Sequence, residues 1–282
     1  MNPLIEPFLN NSFLLRALAA GVLVSAACAI VGTFVVLRGM AFIGDALAHG
    51  VLPGIAVSIL LGFPGIIGAA AGAAVMIGGV GLITRRSRLS SDTAIGLLFV
   101  GMLALGVVIV SHSSQFSGDL VRILFGEILG ISSQAILIQL VATLAIGLAA
   151  AICARPFLLL SFDPEQAQVA GFSASFYHGI MLAMIALTVI VSFQTVGTLL
   201  VFGMLIAPAS IGALLARRIG AMMAWAVLVG TISVYLGLLA SYHLNIAAGA
   251  TIVLVVTALF FVVLAGQNLR DGRLRWRELR RS

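Results

Sequence analysis

Two side chains able to hold a ligand, Asp45 and His49, stand four residues apart in the stretch RGMAFIGDALAHGVLPG from Arg38 to Gly54. The rest of the chain is nearly free of charge: charged residues are 9%, hydrophobic residues 62% and the mean hydropathy is +1.23. On a helix, this spacing stacks both side chains on one face. A carboxylate and an imidazole inside an apolar span are costly and call for a partner or a task. Together they offer an oxygen and a nitrogen ligand, a set suited to zinc and acceptable to manganese or iron. The competing reading is a hydrogen-bonded pair that holds two helices together. With Arg38 as the water interface, Asp45 lies seven residues in and His49 eleven. That is roughly 10 and 16 Å, which places His49 near the middle of a ~30 Å hydrocarbon core, where a permeation pathway would hold an ion briefly.

The elements that must position this pair are membrane helices. A chain of 282 residues with this hydropathy and nine acids is read as an all-α polytopic membrane protein, a single transmembrane domain over 1–282 with no large soluble part. All fifteen basic residues are Arg, so the lysine of a phosphate-binding GK[ST] loop is missing and an ordinary ATPase site is excluded. The pI of about 10.6 does not signal nucleic acid, because the arginines form no soluble patch. Cys28 and Cys153 fall in apolar runs and read as small buried hydrophobes. Residues 1–12 form a polar lead without a basic n-region, and the run 13–37 is too long for a signal-peptide core. Apolar runs at 13–37, 44–62, 64–84, 92–111, 133–154, 175–194, 196–216, 219–240 and 245–266 predict nine spans, with eight or ten as the alternatives because the joins at 63–64 and 195–197 are tight. Nine spans with the C-terminus in the cytoplasm put thirteen arginines inside and only Arg16 and Arg122 outside. The positive-inside rule therefore predicts an outer N-terminus.

Three connecting segments carry further signals. The outer loop 112–132 contains Asp119, Arg122 and Glu127, and its apolar second half suits a short helix or re-entrant element. Its charges either dock an external partner or are simply solvated. The segment 155–174 holds a compact stub, 162–172: Asp163 caps, Pro164 suits the first turn, Glu165 favours the positive helix end and Gly171 stops it. Such a stub can transmit force from a partner protein. In the run 192–216, Gln194, Thr195 and Thr198 give a polar edge and Pro208 is placed to kink the span. The basic tail 267–282 reads as an anchor on anionic lipid. His112, His178 and His243 read as interfacial, and no HExxH motif is present.

Taken together, RGMAFIGDALAHGVLPG at 38–54, LFGEILGIS at 124–132, FDPEQAQVAG at 162–171 and VGTLLVFGMLIAPA at 196–209 resemble the metal-type ABC transporter permeases, the membrane subunits of zinc, manganese and iron importers. The resemblance covers nearly the whole chain. It implies a multi-pass permease of the bacterial inner membrane that forms a homodimer, docks cytoplasmic ATPase subunits and receives metal from an extracytoplasmic binding protein. It implies that Asp163, Pro164, Glu165 and Gly171 belong to the coupling helix, that Asp45 and His49 contact the metal, and that the chain has no cofactor of its own, ATP being used by its partner. The histidine turns the expectation toward zinc, with manganese or iron as the alternatives. A secondary transporter using the pair as a proton relay and a membrane-embedded enzyme are the rival classes.

Overall fold

In a computed structural model the chain is described at residues 6–87, 89–111 and 128–279, and every regular element among them is helical. A short α1 (Glu6–Asn10) leads into α2 (Ser12–Leu37), followed by α3 (Phe42–Gly50), α4 (Leu52–Leu60), α5 (Gly65–Arg86) and α6 (Ser91–Ser111). After a 3-10 turn at Ile128–Gly130 come α7 (Ser133–Ile152), α8 (Ala154–Phe162), α9 (Pro164–Val169), α10 (Ala174–Val196), α11 (Thr198–Leu215), α12 (Ile219–Leu244) and α13 (Ala248–Leu279). Among the described residues, eight spans are long and apolar enough to cross a membrane, with α3 and α4 counting as one, and Leu199–Leu215 is a shorter ninth apolar helix. All nine apolar runs of the sequence are thus helical.

The helix α2 is the axis of the molecule. Its most apolar window is 67% buried against 22% for α6, so α2 runs through the interior of the chain and α6 along its outside. Its buried face is built of small residues, including Ala17, Ala20, Ala27 and Cys28. In lipid, close van der Waals approach of this kind replaces the hydrophobic effect as the force between helices. Onto α2 pack α11, α12 and α7, while α13 closes over α11 and α12. A second group, α3 to α6, is joined to the first through α10 and α11. At the α7–α10 contact the fully buried Gln139 donates through Nε2 to Ser192 Oγ at 3.3 Å and Thr143 Oγ1 at 3.4 Å. The Ser192 bond ties the two spans together without a charge, while the Thr143 bond lies within α7.

The join between α10 and α11 is a single residue, Gly197, at φ 82° and ψ 160°. That region is open essentially to glycine alone. The chain therefore changes direction in one residue, with no turn sequence, which is why the sequence offers so weak a boundary there. Pro208 is accommodated inside α11.

Candidate functional site

The helix that carries Asp45 and His49 is prepared by the turn before it. Arg38 ends α2, Gly39 takes φ 65°, and the amides of Gly39 and Met40 donate to the carbonyls of Val36 (3.1 Å) and Val35 (3.0 Å). This is a Schellman closure, which needs a residue at ease in the left-handed region, hence the glycine. Met40 then accepts from the Ile43 amide at 3.1 Å, and α3 begins. Since the climb starts at Phe42, His49 stands seven residues, about 10 Å, along a 19-residue span of roughly 28 Å. The pair therefore sits nearer the Arg38 end than the midplane depth reckoned from Arg38 itself, because the turn uses up four residues without rise.

The span expected as one helix over 44–62 is two nine-residue helices meeting at Val51. The cause is Pro53. It has no N–H to donate to the carbonyl of His49 four residues back, and the helical ladder breaks there. The backbone stays helical across Val51 (φ −79°, ψ −19°), and His49 lies in the turn whose carbonyl loses its helical donor to Pro53.

His49 Nε2 and Asp45 Oδ1 are 3.4 Å apart. Two ligands about 2.1 Å from one ion stand roughly 3.0 to 3.4 Å from each other, so both atoms can bind the same ion with little movement. The other ring nitrogen, Nδ1, is buried without a hydrogen-bond partner. The edge of the site is set by Phe99 on α6, whose ring meets the imidazole at 5.6 Å and 63°. The tight contacts of α3 are apolar: Gly44 lies against Leu205 of α11, and Gly50 against Met76 of α5. The two polar side chains nonetheless keep exposure, 22% for His49 and 31% for Asp45. They open onto the surface of the single chain at a depth where lipid would be intolerable to them.

No group of three or more metal-ligating side chains occurs among the described residues. Among the described residues, two such side chains therefore stand at the site. Phe99 was not legible beforehand, as one of sixteen phenylalanines with no motif around it. Asp119, Arg122 and Glu127 lie outside the described residues, as does most of the 112–132 loop. Its end is ordered by burial of Ile128 and Ile131, and Ser132 caps α7 by accepting from the Ala135 amide at 3.2 Å.

Directly after α8, the stub forms as a six-residue helix, α9. Asp163 Oδ1 accepts from the amides of Glu165 (3.1 Å) and Gln166 (3.0 Å). Gly171, at φ 83°, closes it, with its amide bonded to the Gln168 carbonyl and that of Phe172 to Ala167. Glu165 is exposed, as is Val169 at 90%, so the stub presents an apolar side chain to whatever lies beyond. The sequence did not foretell α8, the nine-residue helix that carries the stub and packs on α2, α7 and α10.

Comparison with known proteins gives one consistent picture. The pattern of the ABC 3 transport family matches residues 10–267. The manganese transport system membrane protein MntC of Listeria monocytogenes is 37% identical over 258 residues, covering 92% of both chains. The chelated iron transport system membrane protein YfeD of Yersinia pestis is 39% identical over 262 residues, covering 92% of this chain and 86% of that one. Among solved structures, PsaBC from Streptococcus pneumoniae in complex with Fab superposes with a TM-score of 0.82 at 35% identity, covering 92% of this chain and 94% of that chain.

Proposed function

The chain belongs to the ABC 3 transport family of metal-type ABC transporter permeases of the bacterial inner membrane, and from that premise we propose that it imports manganese through a site built on Asp45 and His49. A permease of this kind works with a separate ATPase and a substrate-binding protein, so ATP hydrolysis is its partner's chemistry. The zinc preference drawn from His49 is set aside. The relatives are named for manganese and iron transport, and the Asp45–His49 donor set accepts both metals. A carboxylate and an imidazole, with water completing the shell, form a donor set that manganese accepts. Ferrous iron is the second cargo this donor set would accept.

The observation that carries the proposal is the exposed polar pair at membrane depth. The two side chains face each other, and among the described residues no third ligating side chain joins them. A second copy across the pathway would supply another carboxylate and another imidazole, four side-chain donors around one ion, with water completing the shell. With no partner on Nδ1, no outer-shell hydrogen bond fixes the imidazole for the ion, and an ion held loosely can leave again. Alternating access would follow from movement of α9, the segment the ATPase would grip.

The test is uptake into proteoliposomes holding this chain with its ATPase and binding protein, comparing manganese, ferrous iron and zinc with and without ATP. ATP-dependent manganese accumulation that both Asp45→Ala and His49→Ala abolish, in protein that still assembles, is expected. Accumulation untouched by either substitution would move the site elsewhere, and uptake driven by membrane potential rather than ATP would overturn the importer reading.

A further inference from the structure

Arg38 is half-buried at the end of α2, and its guanidinium bonds to two other helices. One nitrogen donates to the carbonyl of Leu160 on α8 at 3.2 Å. The other meets His178 Nδ1 at 2.9 Å and Met181 Sδ at 3.7 Å, both on α10. The guanidinium has donors only, so Nδ1 accepts and the ring of His178 is neutral with its proton on Nε2. The Leu160 carbonyl is available for a physical reason. Its helical donor would be the amide four residues on, but that residue is Pro164, which has none. Arg38 takes the place that the start of the stub leaves vacant.

The other side of Arg38 is stiff. The two Schellman bonds and the Met40–Ile43 bond link it to the first turn of α3 without a free rotor in the backbone. An aromatic wedge runs beside this tether. Phe34 on α2 meets Phe157 on α8 at 5.1 Å, Phe157 meets Tyr177 on α10 at 6.5 Å, and Tyr177 meets Phe172, just past the stub, at 5.5 Å. Arg38 is thus a polar link between α8, which carries the stub, and the turn that leads into the Asp45–His49 helix.

We propose that Arg38 is a positioning residue that couples movement of the stub at 163–171 to the helix carrying Asp45 and His49. The inference rests on the importer reading above. Arg38 touches neither metal nor ATP. It sets how much of each hydrolytic cycle reaches the metal pathway, so its loss should lower the number of ions moved per ATP and leave the partner's basal hydrolysis in place. A purely structural residue would lower both together.

The experiment uses the full complex in proteoliposomes and reads manganese uptake and ATP hydrolysis on the same samples. Arg38→Met keeps the apolar stem and removes the donors. Its uptake per ATP is expected to fall at least about fivefold, the lower end of a typical coupling between sites, with basal hydrolysis within about twofold of wild type. An unchanged ratio overturns the inference, and so does a parallel loss of uptake and hydrolysis. Should Arg38→Met fail to assemble, the acceptor side decides. His178→Gln offers a carbonyl oxygen to the guanidinium and should keep the wild-type ratio, whereas His178→Leu should not; equal ratios for the two overturn the inference. A wild-type complex that hydrolyses ATP and moves no manganese would instead overturn the importer reading, a separate failure.

Discussion

Asp45 and His49 keep their polar atoms 3.4 Å apart on one face of a nine-residue helix, and both remain partly open in a single chain. Their four-residue spacing alone places them together, and the cost of a lone ionic pair in a span marks them as worth holding. What the spacing does not contain is their surroundings. Phe99 against the ring and the buried, unpaired Nδ1 depend on how α6 packs on α3, a long-range choice that no local pattern records. Arg38 was similarly half-visible: its charge marks an interface in the sequence, but its bonds to Leu160 and His178 span 122 and 140 residues. If Asp45 is a ligand rather than a strut, Asp45→Asn separates the roles. The amide keeps the shape and a hydrogen-bonding oxygen while removing the charge. Half-maximal manganese for uptake is expected to rise by more than the roughly 10–100-fold lost when an outer-shell partner of a metal is removed, with the thermal midpoint in detergent unchanged. An unchanged metal dependence would assign Asp45 a structural role.

At the scale of elements, the apolar runs foretold the helices, because length and hydropathy are what a bilayer demands. The breaks were harder to read. Pro53 sits among apolar neighbours and looks like a continuation, yet by withholding one amide it divides a span at Val51. Gly197 is one of 31 glycines, and only its backbone angles distinguish it. The stub at 163–171 was legible for the opposite reason: capping residues act locally, and Asp163 and Gly171 bond within three residues and one turn of their positions. Gly197→Ala forces a side chain into a region open essentially to glycine, at about 1–3 kcal/mol. Gly96→Ala is the fitting control, since it lies inside α6 with nothing within 4 Å of the added Cβ. Alanine there should be neutral or stabilise by up to about 1 kcal/mol. Thermal unfolding in detergent should thus move down for Gly197→Ala and stay level or rise for Gly96→Ala. The same response from both would mean that the α10–α11 join is not held by the conformation of Gly197.

For the whole molecule, the incomplete site is the strongest constraint on assembly. The two side-chain donors found among the described residues fall short of the four or more ligands a divalent transition ion takes, and both stay partly exposed in the single chain. A two-fold axis passing beside α3 answers both facts at once, since a closed symmetric dimer brings the same patch of each copy face to face. This arrangement has a kinetic signature that needs no image of the dimer. Permeases assembled from a mixture of wild-type and His49→Ala chains would form three species, and only the one with two intact copies would offer the full donor set. Uptake should then fall as the square of the wild-type fraction, to roughly a quarter when half the chains carry the substitution, whereas independent sites would leave roughly half. The mixture is prepared by co-expression with two distinguishable tags, and the fraction of each chain is measured in the purified complex. A linear dependence would place a complete pathway within each chain, requiring the missing ligands to come from residues of the same copy, and the shared-ion geometry would be lost. A quadratic dependence would make the ion the common property of two chains, which in turn explains why one chain alone carries so sparse a set of ligands.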